Sequence, residues 1–314
     1  MNKEIDLYST IKSKLFLSER EMSNYFSTFP FRYKKYLIPK RNSKGSRLIA
    51  QPSRQVKNIQ RESIDYMKRV LCVHDAAFAY EPDKNIKKNA IEHQGNQYIL
   101  KMDFMNFFNS IKPELLLSII EKHGLSIDKK NENLIRNIFF WKERRYSNLC
   151  LSVGAPSSPF LSNAIMYFFD LDMTSISESH DITYTRYADD LTFSSNERNI
   201  LFLIPSLVRN ALNKNNLKCI RINREKTIFS SKKFNRHITG VTINNNGELS
   251  LGRERKRKIS AKVHHFVHEM LSPDEIERLK GELGFASYIE PNFVERLTKK
   301  YSADVILRIQ KYYR

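Results

Sequence analysis

The stretch TYTRYADDLTFS, residues 183–194, constrains this chain more than any other. Apolar and polar residues alternate on either side of two adjacent acids, the period of a strand with one covered face. We expect a β-hairpin with Asp189 and Asp190 at its tip. Neighbouring carboxylates repel. Such a pair is either a solvated turn, where aspartate is common, or a place that a divalent cation neutralises. The stretch alone does not choose between the two.

Charge supplies the first discrimination. Across 314 residues, 53 Lys and Arg stand against 34 Asp and Glu, a net charge of +19. On a folded chain that excess points to a polyanionic partner, nucleic acid ahead of an anionic membrane. A hydrophobic fraction of 41% is too high for a disordered chain. No apolar run approaches the ~20 residues of a membrane span, and the charged opening leads into no signal-like core. Cys72, Cys150 and Cys219 are too few and too scattered for a disulfide framework or a zinc knuckle. The expectation is a cytoplasmic protein without a membrane partner.

Taken in order, residues 13–29 read as one helix carrying Leu15, Leu17, Met22 and Phe26. A basic hairpin follows, residues 36–50, with Lys44 and Gly45 in its turn and Arg47 on its second strand. A helix is expected from Val56 to Leu71. Residues 97–103 form a β-prone run that ends on Asp103, and Phe104, Phe107 and Phe108 follow as core or pocket wall. Pro113 opens a helix that Gly124 closes. Residues 154–159, Gly-Ala-Pro-Ser-Ser-Pro, form a small-residue loop feeding a helix over 160–175. They are not a P-loop, since no Gly-Lys-Ser/Thr follows. Beyond residue 246 the chain turns helical and basic, with Arg253, Arg255, Lys256, Arg257, Lys258 and Lys262 crowded together. His264 and His268 have helical i,i+4 spacing but no accompanying carboxylate, so no metal is assigned to them.

If the strands bearing Asp103 and Asp189-Asp190 lie side by side, three carboxylates meet at one sheet edge. That set suits two Mg²⁺ ions about 3.5–4 Å apart, the arrangement of polymerases and nucleases. Tyr187-Ala188-Asp189-Asp190 resembles the YxDD signature of reverse transcriptases. Asp103 with Phe107 and Phe108 is similar to their first catalytic motif, and the loop at Gly154 to the motif between the two. Residues 223–227 resemble the later motif whose lysine, here Lys226, lies near the triphosphate. Lys44 and Arg47 look like the fingers residues that grip phosphates. The five motifs keep their order over residues 30–260. Two features resemble bacterial retron reverse transcriptases in particular. Asn89-Ala90-Ile91-Glu92-His93 matches their NAxxH motif, and Ile238-Thr239-Gly240 stands where they carry a VTG triplet. Val153 departs from the pattern, replacing a glutamine. Asn106 departs too, where relatives often have a second aspartate that is not a metal ligand.

The resemblance implies an α+β right-hand polymerase. Fingers would occupy residues 1–97 and a palm 98–245, with 113–150 partly returning to the fingers. A short basic helical thumb would occupy 246–314. Asp103, Asp189 and Asp190 would hold two Mg²⁺ ions, with Lys226 assisting the leaving pyrophosphate. Lys44, Arg47, Phe104, Phe108 and Pro156 would contact the deoxynucleoside triphosphate, Phe108 as the steric gate against a 2′-OH. Tyr187 would support the primer end. Asn89, His93, Thr239, Gly240 and the six thumb cations would read a cognate structured non-coding RNA. The product would be single-stranded DNA (msDNA) primed from a guanosine 2′-OH, within an anti-phage defence system. An effector protein and a separate ribonuclease H would be partners, since the tail lacks the clustered acids of the latter. The rival readings are a group II intron-like reverse transcriptase, an RNA-templated RNA polymerase, and a non-catalytic RNA-binding scaffold.

Overall fold

A computed structural model describes residues 3–39, 45–234 and 236–313. Lys44 lies outside the described residues, as do most of the expected hairpin turn's residues. In chain order the strands are β1 (Lys3–Glu4), β2 (Tyr33–Pro39), β3 (Ser46–Pro52), β4 (Tyr98–Met105), β5 (Leu125–Ser126) and β6 (Thr183–Tyr187). They continue as β7 (Asp190–Ser195), β8 (Arg221–Ile222), β9 (Ile228–Ser231), β10 (Arg236–Ile238), β11 (Val241–Ile243) and β12 (Leu249–Ser250).

The central sheet runs β6-β7-β4-β8, with β9 also on β4. β4 is hydrogen-bonded on both sides, antiparallel to β7 along one edge and to β8 and β9 along the other. Its apolar residues Ile99, Leu100, Met102 and Phe104 are all buried, as a strand covered on both faces requires. Helices Ser158–Ile165, Tyr167–Glu178 and Ile204–Lys214 contribute Leu161, Phe169, Met173 and Val208 to the same core. The basic hairpin β2–β3 forms as expected, in register from Tyr33 opposite Pro52 to Pro39 opposite Ser46.

Two helices expected as single pieces are broken. Residues 13–29 belong to helices Leu7–Leu15 and Glu19–Ser27, separated at Phe16, whose φ of 52° is left-handed. Ser18 then starts the second helix with a capping box to Glu21, a signal present in the sequence. The helix over 160–175 is two, Ser158–Ile165 and Tyr167–Glu178, meeting at Met166.

A second apolar core joins Ile238, Val241 and Ile243 to the C-terminal helices Arg253–Val267, Pro273–Ile289, Pro291–Tyr301 and Ala303–Gln310. The sheet β10-β11-β12 thus packs with those helices. Ser272 and Glu275 form the capping box read from the sequence. Among the described residues no helix is long and apolar enough to cross a membrane.

Candidate active site

The hairpin of residues 183–194 forms, and its register sharpens the expectation. Tyr187 pairs with Asp190, so the two-residue turn is Ala188-Asp189 and Asp190 already belongs to β7. Ala188 takes a φ of 58°, a left-handed conformation that costs a non-glycine residue roughly 1 kcal/mol. Across the sheet Asp190 is the direct partner of Asp103. The amide of Phe104 donates to the carbonyl of Asp189 at 3.0 Å, locking the turn onto β4. The three acids therefore meet at one sheet edge.

Their crowding is visible electrostatically. Burial, followed by the charges of Asp189 and Asp103, pushes the Asp190 carboxyl up to about 6. Burial, then Asp103, also raises Asp189. Lys226 stands against this charge. Its Nζ donates to Asp103 Oδ2 at 2.7 Å, while Asn223 Nδ2 donates to Oδ1 at 3.2 Å. Burial opposes the lysine's charge, yet the bond to Asp103 and the surrounding acids hold its pKa above the ordinary value. Among the described residues no three His, Cys, Asp or Glu side chains form a ready-made metal cage. Mg²⁺ does not need one, because it binds through one or two carboxylates and takes the rest from water and substrate phosphate. Hard oxygen donors and an excess of negative charge fit that ion.

A cleft of about 2180 Å³ opens over these residues, lined among others by Arg47, Tyr80, Asp103, Phe108, Asp189 and Lys226. Arg47 is exposed on β3, near enough for its charge to act on Asp189. Phe107 and Phe108 differ in exposure. Phe107 is buried and stacks on Phe104, whereas Phe108 is partly exposed in the cleft. Phe104 needs correction as a nucleotide contact: it borders the cleft, but the residue is buried and its ring packs against Phe107 and Phe169. Pro156 lines a smaller cavity that shares Phe108 and Tyr80 with the cleft. Tyr187 is half-buried at the end of β6.

Asn89 and His93 also need correction as RNA contacts, because both are fully buried. His93 lies against the β6–β7 hairpin, 2.7 Å from Ser194 Oγ through Nδ1 and 2.7 Å from Thr185 Oγ1 through Nε2. Asn89 Nδ2 donates to Thr239 Oγ1 at 3.4 Å. Thr239 and Gly240 have φ of 44° and 91°, the pattern of a type I′ turn between β10 and β11. The helix Ile86–Glu92 thus clamps the palm hairpin to the sheet of the second core. Of the six C-terminal cations, Lys256, Lys258 and Lys262 are paired with Glu290, Glu254 and Glu282. Arg255 lies 4.0 Å over the Phe285 ring, and Arg253 and Arg257 are exposed.

The sequence reading missed two groups. Tyr80, half-exposed with a φ of 66°, hangs over the cleft from a loop without periodic signal. Arg186, fully buried, donates to both Asp170 oxygens, to Asn163 Oδ1 at 3.0 Å and to the Ala188 carbonyl at 3.1 Å. It thereby holds the left-handed residue of the Ala188-Asp189 turn.

A sheet edge with three acids, a lysine on one of them and a phenylalanine wall above defines a nucleotidyl-transferring polymerase palm. Residues 38–243 match the family described as reverse transcriptase (RNA-dependent DNA polymerase). The retron Ec83 reverse transcriptase of Escherichia coli is 49% identical over 282 residues, covering 89% of this chain and 90% of its own. The retron Ec86 reverse transcriptase of the same organism is 31% identical over 87% of this chain and 84% of its own. Among solved structures, apo telomerase from Candida tropicalis superposes with a TM-score of 0.48 at 12% identity, covering 96% of this chain and 68% of its own. The chain belongs to the reverse transcriptases, and within them to the retron type; it is an RNA-directed DNA polymerase.

Proposed function

We propose that this polymerase copies part of a cognate structured non-coding RNA into single-stranded DNA, with Asp103, Asp189 and Asp190 holding a pair of Mg²⁺ ions. The observation that carries the site is the register of Asp103 opposite Asp190, with Lys226 on Asp103. Mg²⁺ bound there would lower the pKa of the attacking hydroxyl and offset charge on the triphosphate. The chain's own residues orient and select. Arg47 reaches toward the phosphates, Phe108 fills the space of a ribose 2′-OH, Tyr187 backs the primer end, and Lys226 faces the leaving pyrophosphate.

RNA recognition falls to exposed groups, Gly240, Arg253 and Arg257 among them, which supply shape and phosphate contacts that weaken as salt rises. Asn89 and His93 act behind that surface, holding Thr239 and the catalytic hairpin in place. Priming from a guanosine 2′-OH, removal of template by a separate ribonuclease H, and service with an effector protein in anti-phage defence complete the reading. It draws support from the retron relatives. Nucleic acid that co-purifies with the protein tests it. A short DNA joined to RNA through a 2′–5′ bond is expected, and its loss with RNA retained is expected for Asp189→Ala with Asp190→Ala. Recovery of ordinary cellular RNA alone would overturn the retron-specific part, and DNA made by the double variant would overturn the metal site.

A further inference from the structure

Four exposed cations help to line the cleft: Arg209 from the helix Ile204–Lys214, Lys218, Arg221 on β8, and Arg224. Lys112 lines the same cleft. Among the described residues none of the four is in an ion pair, whereas Lys256, Lys258 and Lys262 each hold a glutamate. Unpaired like charges on one concave surface repel each other and focus a field that draws in anions.

Their place in the sheet says which anion. Arg221 pairs with Met105, two positions past Asp103, on the edge of β4 opposite to β7. Tyr187 ends β6, on the other side of β4. In phosphoryl transfer the attacking and leaving oxygens stand roughly in line across phosphorus. The primer O–P bond forms as the bond from the α-phosphorus to the bridging oxygen breaks. Pyrophosphate takes that electron pair, and the hydroxyl proton passes to water. With the primer end on the Tyr187 side, the leaving phosphates point toward β8 and its cations.

We propose that Arg209, Lys218, Arg221 and Arg224 form a polyphosphate channel, which draws in the triphosphate of the incoming nucleotide and guides pyrophosphate out. The inference rests on the reading of Asp103, Asp189 and Tyr187 given above. It assigns these cations to substrate and product and not to the template–primer duplex.

The test is steady-state extension of an RNA-templated DNA primer by Arg209→Gln, Lys218→Gln and Arg221→Gln, singly and combined. These are surface changes from charged to neutral, so folding is not at stake. For the combined variant at low salt, KM for the deoxynucleotide should rise about five-fold or more, the gap narrowing as salt screens the field. The dissociation constant for primer–template should stay within about two-fold, as that of a surface outside the phosphate-contacting footprint. A raised KM assigns entry, and weakened inhibition by added pyrophosphate assigns exit; either supports the channel. Unchanged KM and inhibition overturn it. So does a loss of primer–template affinity in place of a KM change, which would give these cations to nucleic acid. Asp103→Asn, run alongside, should be inactive; if it is not, the reading of the metal site fails instead.

Discussion

Arg186 and Asp170 form a fully buried ion pair beside the β6–β7 turn, with Arg186 Nη2 2.6 Å from Asp170 Oδ2 and Nε 2.9 Å from Oδ1. Tyr184 Oη adds a bond to the same carboxylate at 2.7 Å. Removing one partner strands a buried charge, which typically costs about 3–5 kcal/mol. Arg186→Met is therefore expected to lower the urea midpoint sharply. Arg186→Lys should recover little, because an ammonium cannot reproduce the fork that spans both oxygens. Equilibrium denaturation measures both.

His93 gives the chain a pH dependence of known sign. Burial lowers its pKa to about 3, against about 6.5 for a histidine in an unfolded chain. The folded state therefore holds it neutral. Its contribution is complete above pH ~6.5 and is lost as pH falls toward the folded value. Unfolding free energies at pH 7, 6 and 5 should decline more steeply for the parent protein than for His93→Gln, by up to about 1.4 kcal/mol per pH unit. Equal slopes would show that His93 does not titrate as the burial requires.

The two adjacent phenylalanines should separate cleanly. Phe108→Ala is expected to relax discrimination against ribonucleotides by one to two orders of magnitude, about the worth of a lost steric contact, with stability little changed. Phe107→Ala should instead cost about 3–5 kcal/mol through the cavity it leaves. Competitive incorporation assays and thermal melts read the two outcomes.

Lys226→Ala removes the cation that touches Asp103. We expect kcat to fall by about 10²-fold, the scale of a lost proton donor, while primer–template affinity stays near that of the parent. An intact kcat would withdraw its role at the leaving group.

Much of the site was readable because its residues are close in sequence to strand ends. Asp103 closes a β-prone run, and Asp189 and Asp190 sit between two alternating ones. Arg186 was hidden in the same pattern: period two puts Tyr184 and Arg186 on one face, and that face is buried. A cation on an apolar face was the available signal, but its partner Asp170 lies on a helix, and nothing local points to it. The break at Phe16 was legible in the Ser18–Glu21 capping box that follows it, whereas the one at Met166 carries neither glycine, proline nor a side-chain cap. For His93 and Asn89, a motif cannot tell a buried clamp from a surface that touches RNA.

Gly154 tests how the hairpin β2–β3 is seated. At its φ of 122°, a Cβ would come within 3.1 Å of both the Ala50 carbonyl oxygen and Ile49 Cγ2. Gly154→Ala is expected to destabilise the protein by about 1–3 kcal/mol through strain and overpacking, and to raise KM for the nucleotide by displacing Arg47. Denaturation and steady-state kinetics follow the two effects.

The seat itself combines a backbone and a side-chain hydrogen bond at Ala50. The Ala50 amide donates to the Val153 carbonyl at 2.9 Å, and Ser152 Oγ donates to the Ala50 carbonyl. The hairpin is thereby tied at Ala50 to the loop that carries Pro156. Closure of Arg47 over a nucleotide would then fall to residues 46–49, the part of β3 ahead of that tie and paired with β2. Arg47 sits in that part, one residue from its end at Ser46.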